Sequence, residues 1–276
     1  ACYLTTPTHF ALYRSVLVVL TLLALAAPLA LALGFAGALA LRSTIAPLRG
    51  IGWVYVSMVR GVPDIIFFLF VPLAIDQGVE WVLHHIRCPD WTDPVWQGND
   101  FVVCAQAKMP LAASPAWVHN LWGFTLALTA FAVVFGAFAA NTLHGAMQAV
   151  PRAQIETAES FGMTRAQAFR RVLLPQMWVY ALPGLSNLWM ILTKATPLLF
   201  LLGIQDIVYW ARELGGAKTS LFAYPHPDWR VWYFLGVLAF YLCLTWVSQR
   251  VFDGVMVRQS HGQATAGGEA LRRAAA

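Results

Sequence analysis

Twenty-seven consecutive uncharged residues separate Arg14 from Arg42, and no other feature constrains the fold of this chain so strongly. A helix of about 20 apolar residues crosses the roughly 30 Å of bilayer hydrocarbon, so this run predicts a membrane span. Four more runs follow: from about Ile51 to Ile75, interrupted by Arg60 and Asp64; from Trp117 to Leu143; from Val172 to Gln205, with Lys194 its single charge; and the 19 uncharged residues between Arg230 and Arg250. Only 11% of the 276 residues are charged and 59% are hydrophobic, against about 25% charged in a typical soluble domain. Such a surplus of apolar surface needs lipid as its solvent. A soluble enzyme is excluded, and the expectation is an all-α integral membrane protein with five transmembrane helices.

Five spans put the termini on opposite sides, and the basic residues choose which. With the N-terminus outside, the inner segments hold Arg42, Arg49, Arg152, Arg165, Arg170, Arg171, Arg250, Arg258, Arg272 and Arg273; the outer segments hold Arg14, Arg87, Lys108, Arg212, Lys218 and Arg230. The expected topology is therefore N-out, C-in. A net charge of +5 spread along the chain does not form a nucleic-acid footprint. The N-terminus lacks the basic region, short apolar core and cleavage site of a removable signal peptide, so the first run is expected to remain as an anchor.

The outer segment from about 76 to 116 is rich in Pro, Trp and Asp and is expected to be a loop with little regular structure. Facing an oxidising compartment, Cys88 and Cys104 are either a disulfide or two free thiols. His84, His85 and Cys88 lack a fourth ligand at metal-binding spacing, which favours loop polarity over a metal site. The Ala- and Gly-rich tail, 259–276, is expected to be disordered and cytoplasmic.

The inner segment 151–175, PRAQIETAESFGMTRAQAFRRVLLP, carries the most information. Pro151 suits a first helical position, Glu156 an N-terminal half, and Gly162 a left-handed stop. Thr164 and Gln167 can form a capping box for a second helix, which Pro175 is expected to limit. Ile155, Ala158, Phe161 and Gly162 share a face that needs something to cover it; the headgroups would serve an ordinary amphipathic loop. Spacing distinguishes the readings. Glu156-Thr157-Ala158, then Gly162, then Val172-Leu173-Leu174-Pro175 resembles the EAA loop of ABC importer permeases, with Thr157 in place of an alanine. The resemblance covers about residues 10–255 and includes Arg60-Gly61-Val62-Pro63-Asp64, which is similar to the signature of the polar-amino-acid branch and, in this form, of Q-type subunits of histidine and octopine systems. Ala181-Leu182-Pro183-Gly184, the run from Ile191 to Thr196 and that from Leu201 to Asp206 resemble the same subunits. The outer loop looks longer than usual for that family.

The resemblance implies the type I ABC importer permease fold in a bacterial inner membrane, with transport by alternating access. It implies an ABC ATPase dimer, a second permease subunit, paralogous or identical, and an extracytoplasmic solute-binding protein as partners. Glu156, Thr157, Ala158, Gly162, Leu174 and Pro175 would form the ATPase-coupling site. No cofactor is expected on this chain, because ATP and magnesium would sit on the ATPase. Gly215-Gly216-Ala217-Lys218-Thr219 is a decoy: Ala217 interrupts the contiguous Gly-Lys-Thr that a phosphate-binding loop requires.

Ionisable groups at membrane depth are functional candidates by default. Arg60 and Asp64 can pair with each other, pair with Lys194, or meet substrate. Asn141 stands where many relatives carry a glutamate that would favour a cationic substrate; it is either a ligand-facing amide or a helix-packing one. Expected substrates are polar or basic amino acids, of the histidine, arginine, lysine and ornithine kind, or an opine; neutral or acidic amino acids are the alternative. An intramembrane enzyme would need a nucleophile and base together at depth, and His119 and His144 lie at opposite ends of the third span. A channel-forming or structural subunit remains a further reading.

Overall fold

The computed structural model describes residues 3–259, so the expectation for 260–276 lies outside the described residues. A 3-10 turn at Tyr3–Thr5 precedes α1 (Pro7–Arg42), α2 (Ala46–Gly61) and α3 (Asp64–Arg87). A small hairpin, β1 (Trp96–Gln97) and β2 (Asp100–Phe101), leads to α4 (Ala116–Ala149), α5 (Arg152–Ser160), α6 (Arg165–Ala168), α7 (Leu174–Ala195), α8 (Ile207–Gly215) and α9 (Arg230–Gln259). Among the described residues, five helical segments are long and apolar enough to cross a membrane: α1, α3, α4, the composite helix over Arg165–Leu202, and α9.

The centre of the bundle is α4, which packs against α1, α2, α3 and α7. Its pairing with α1 depends on small residues. A Cβ added at Gly34 would lie 2.6 Å from the Ala139 Cβ, and one at Gly37 would lie 2.8 Å from the Ala140 Cβ. Lipid tails give no hydrophobic incentive for helices to associate, so close backbone approach and the dispersion contacts it allows hold the pair. Tyr55 on α2 seals the junction by donating to the Val133 carbonyl at 2.6 Å. One buried cluster forms around Leu22, Phe68, Phe131 and Val134. A second, around Leu143, Met147, Leu173 and Met177, lies where α4 and α7 reach the inner loop.

Two expected boundaries change. The second span starts at Asp64 instead of Ile51, because Pro63 forces Val62 into an extended conformation (φ −120°, ψ 143°) and ends the helix before it. The separate α2 instead packs on α1 and α4. Pro175 does not end a helix. A π-turn over Phe169–Leu173 precedes it, and Pro175 sits in the first turn of α7, where a missing N–H is tolerated. The second helix of the inner loop is therefore continuous with the fourth span.

The outer segment is also more ordered than expected. Residues 76–87 belong to α3, and Cys88 is disulfide-bonded to Cys104. Glu80, 5% exposed, accepts the Met109 N–H at 3.2 Å and pairs with Lys108 at 3.4 Å. Arg87 donates to the Gln106 carbonyl at 2.9 Å, and Trp122 donates to Asp76 at 2.7 Å. Glu80, Arg87 and the disulfide fasten the loop to α3, and the Trp122–Asp76 bond ties α3 to α4. His84, Cys88 and Cys104 converge within 4.8 Å, but the disulfide consumes both sulfurs and the His84 ring accepts the Cys104 N–H at 3.1 Å, so the cluster has no thiolate to offer a metal.

Candidate coupling site and transport pathway

The inner loop is built by local chemistry. Where α5 ends, Gly162 adopts φ +85°, its N–H reaches the Glu159 carbonyl at 2.9 Å, and the Met163 N–H reaches the Ala158 carbonyl at 3.1 Å. This pair of bonds is the Schellman arrangement, which needs a residue free to enter the left-handed region. Directly after it, Thr164 and Gln167 close a reciprocal capping box: the Gln167 N–H donates to the Thr164 hydroxyl at 3.3 Å, and the Thr164 N–H donates to the Gln167 side chain at 2.9 Å. Two short helices thus meet at a fixed angle, set by four consecutive residues.

The face shared by Ile155, Ala158, Phe161 and Gly162 in sequence divides in space. Ala158 is 7% exposed and Ile155 packs against the inner core, so these two hold α5 to its own chain. Phe161, 84% exposed, projects outward, with Glu156, Thr157 and Gly162 also exposed. Thr157 returns its hydroxyl to the Ala153 carbonyl at 2.7 Å, which satisfies it within the helix. Leu174 is half-buried and Pro175 exposed on the adjoining span. The exposed surface of this loop therefore includes the bulky Phe161 ring and a turn without a side chain, with Glu156 exposed elsewhere on α5 and Ala158 contributing little area on the single chain.

Of the charged span residues, Arg60 meets an amide. Its Nη1 donates to Asn141 Oδ1 at 3.4 Å, and both side chains are exposed on the single chain. Neither Asp64 nor Lys194 pairs with Arg60 among the described residues: the helix break at Val62 and Pro63 removes the i,i+4 geometry that an unbroken helix would give Arg60 and Asp64, and Lys194 lies near the end of α7, exposed. The small residues beside Asn141, namely Gly136, Ala139 and Ala140, face α1 and Tyr55, so they serve helix contact and leave Asn141 alone on the opposite side.

Sequence reasoning passed over a further acid. Asp206 is fully buried, caps α8 by accepting the Tyr209 N–H at 2.9 Å, and has its carboxyl pushed up to about 6 by burial. The signal was local: an Asp three residues ahead of the N–H that donates to it, at the start of an apolar helix, is an N-cap pattern.

A family described as the inner membrane component of binding-protein-dependent transport systems matches residues 29–257. The histidine/lysine/arginine/ornithine transport system permease protein HisQ of Escherichia coli (strain K12) is 33% identical over 209 residues, covering 75% of each chain. The octopine transport system permease protein OccQ of Rhizobium radiobacter is 28% identical over 233 residues, covering 84% of this chain and 83% of the relative. A crystal structure of an amino acid ABC transporter with histidines has the same fold, with a TM-score of 0.63 at 21% identity over 90% of this chain and 94% of that one. An inward-facing methionine transporter, MetNI, gives 0.60 at 15% identity over 92% and 99%. An exposed helix pair at one end of five spans fits a permease subunit whose ATP is hydrolysed by a separate subunit. The chain belongs to the inner-membrane permease family of binding-protein-dependent transport systems, with the type I ABC importer fold.

Proposed function

We propose that this chain is the Q-type permease subunit of an ATP-driven importer for polar or basic amino acids, such as histidine, arginine, lysine and ornithine, or for an opine. One observation carries the coupling role: Glu156, Phe161 and Gly162 are exposed together on a helix pair whose geometry is fixed internally. The amino-acid class is supported by the relatives, which are permeases of amino-acid and octopine systems. An extracytoplasmic binding protein delivers substrate to the outer face. ATP and magnesium, held by the partner ATPase dimer, close that dimer, and the inner loop passes the movement to the spans. Because α6 continues through the π-turn into α7, a push on the loop reaches the fourth span directly. The second permease is a paralogue or another copy of this chain.

The test is Gly162→Trp in the complete transporter. A bulky L residue at φ +85° strains the turn and projects into the open space that a docked partner would occupy. Uptake and substrate-stimulated ATP hydrolysis should both be lost while the chain still inserts and accumulates. Survival of both activities would remove the docking role.

One observation favours a second substrate class. Asn141 presents no negative charge and has the Arg60 guanidinium beside it, an arrangement that repels a cationic side chain and so suits a neutral or acidic amino acid. Competitive uptake of arginine against glutamine and glutamate by the reconstituted transporter separates the two readings.

A further inference from the structure

At the inner ends of α1 and α4, a cavity of about 640 Å³ opens beside α5, lined by Arg42, His144, Gln148, Arg152 and Glu156 over an apolar floor. Arg42 is the last residue of α1, Arg152 the first of α5, and His144 and Gln148 occupy the last two turns of α4. The cavity thus lies where the ends of two spans, α1 and α4, meet the start of α5. Its floor is Met147, Val150, Ile155 and Leu173, all members of the inner core or packed on it. Phe161 and Gly162 do not line the cavity, whereas Glu156 does. Neither Arg42 nor Arg152 has a carboxylate within 4.0 Å among the described residues; Arg42 has the Phe169 ring 6.0 Å away. Gln148 and His144 satisfy each other at 2.8 Å. Two guanidinium groups therefore share one recess with a single acid, Glu156, and neither is ion-paired with it.

We infer that this cavity is a binding site for the phosphate of an anionic phospholipid headgroup. Guanidinium groups recognise phosphate oxygens through forked N–H donors. Basic recesses between spans on the cytoplasmic side attract anionic headgroups. The two-part lining favours a lipid over free phosphate, because the apolar floor of Met147, Val150, Ile155 and Leu173 suits the upper carbons of an acyl chain and gives inorganic phosphate nothing. A bound headgroup would tie the end of α1 to the start of α5 and so hold the coupling helix against the bundle. The site does not depend on the substrate class proposed above.

The test uses the assembled transporter in vesicles of equal phosphatidylglycerol and phosphatidylcholine, followed by native mass spectrometry of retained lipid. One net positive charge in the recess predicts an enrichment of phosphatidylglycerol of about fivefold. The double variant Arg42→Gln/Arg152→Gln, which leaves Glu156 as the charge in the recess, should lose the phosphatidylglycerol enrichment. Arg42→Lys/Arg152→Lys, which keeps the charges, should preserve most of the preference and controls for folding. Millimolar inorganic phosphate should leave the retained lipid in place. Displacement by phosphate would overturn the lipid assignment in favour of a free-phosphate site. Equal enrichment in wild type and the glutamine variant would overturn the site altogether. Loss of the ATPase from the glutamine variant with lipid retention unchanged would also overturn it, by assigning the arginines to an acidic side chain of that subunit.

Discussion

Single residues in this chain are interpreted by what stands beside them, and Asn141 is the clearest case. Taken alone, replacing it with a glutamate should attract cationic substrates. The Arg60 guanidinium 3.4 Å away changes that expectation, since a carboxylate at 141 would be neutralised by an ion pair in a poorly hydrated setting. Asn141→Glu by itself should leave the preference between arginine and glutamine nearly unchanged. Asn141→Glu combined with Arg60→Gln removes the neutralising charge and should shift the preference toward arginine by on the order of tenfold, or about 1.4 kcal/mol. Competitive uptake in reconstituted vesicles measures both. An identical preference in the double variant at normal protein levels would reduce Asn141 to a packing amide.

Elements here succeed or fail by backbone approach and by how their ends are closed. The α1 and α4 pair has room for hydrogen atoms and little else at Gly34 and Gly37. Gly34→Leu should therefore separate the helices or force rotamers off their minima, at a cost of about 1–3 kcal/mol. The thermal midpoint of the detergent-solubilised complex should fall, whereas Gly50→Leu, where a new Cβ meets nothing within 4 Å, should leave it unchanged. Equal midpoints would show that the pairing tolerates separation. The π-turn at Phe169–Leu173 is the other element-scale device. Its wider loop accommodates Pro175 without a break, which is why the sequence signal of a helix stop was misleading.

The whole molecule is oriented by its basic residues, ten of which the proposed topology places inside and six outside. A cysteine introduced at Arg165, on a background lacking the native cysteines, should be silent to an impermeant thiol reagent in intact cells and should react once the membrane is opened. One placed at Trp96 in the outer hairpin, where the side chain is 56% exposed, should react in both. Labelling at 165 in intact cells would invert the topology. At this scale the outer loop is part of the body, since Glu80, Arg87 and the disulfide fasten it to α3. The N-terminus is likewise held, with Tyr3 meeting His226 at 2.7 Å and His9 meeting Tyr233 at 2.6 Å.

The sequence by itself determined the membrane class, five spans and the inner loop, because each depends on near-neighbour quantities: the length of an uncharged run, the spacing of Glu156, Gly162 and Pro175, and the capping chemistry of Thr164 with Gln167. These are legible wherever local preference and global fold agree. Tertiary structure alone decided the rest. Ala158 turned inward and Phe161 outward because the inner core, assembled from α4 and α7, claims one side of α5. Arg60 met Asn141 instead of Asp64 because α2 packs on α4 and the chain breaks at Pro63, and a partner 81 positions away leaves no periodicity to read. The basic recess of Arg42 and Arg152 was equally invisible, since it exists only where the end of α1, distant in the chain, arrives beside the junction of α4 and α5.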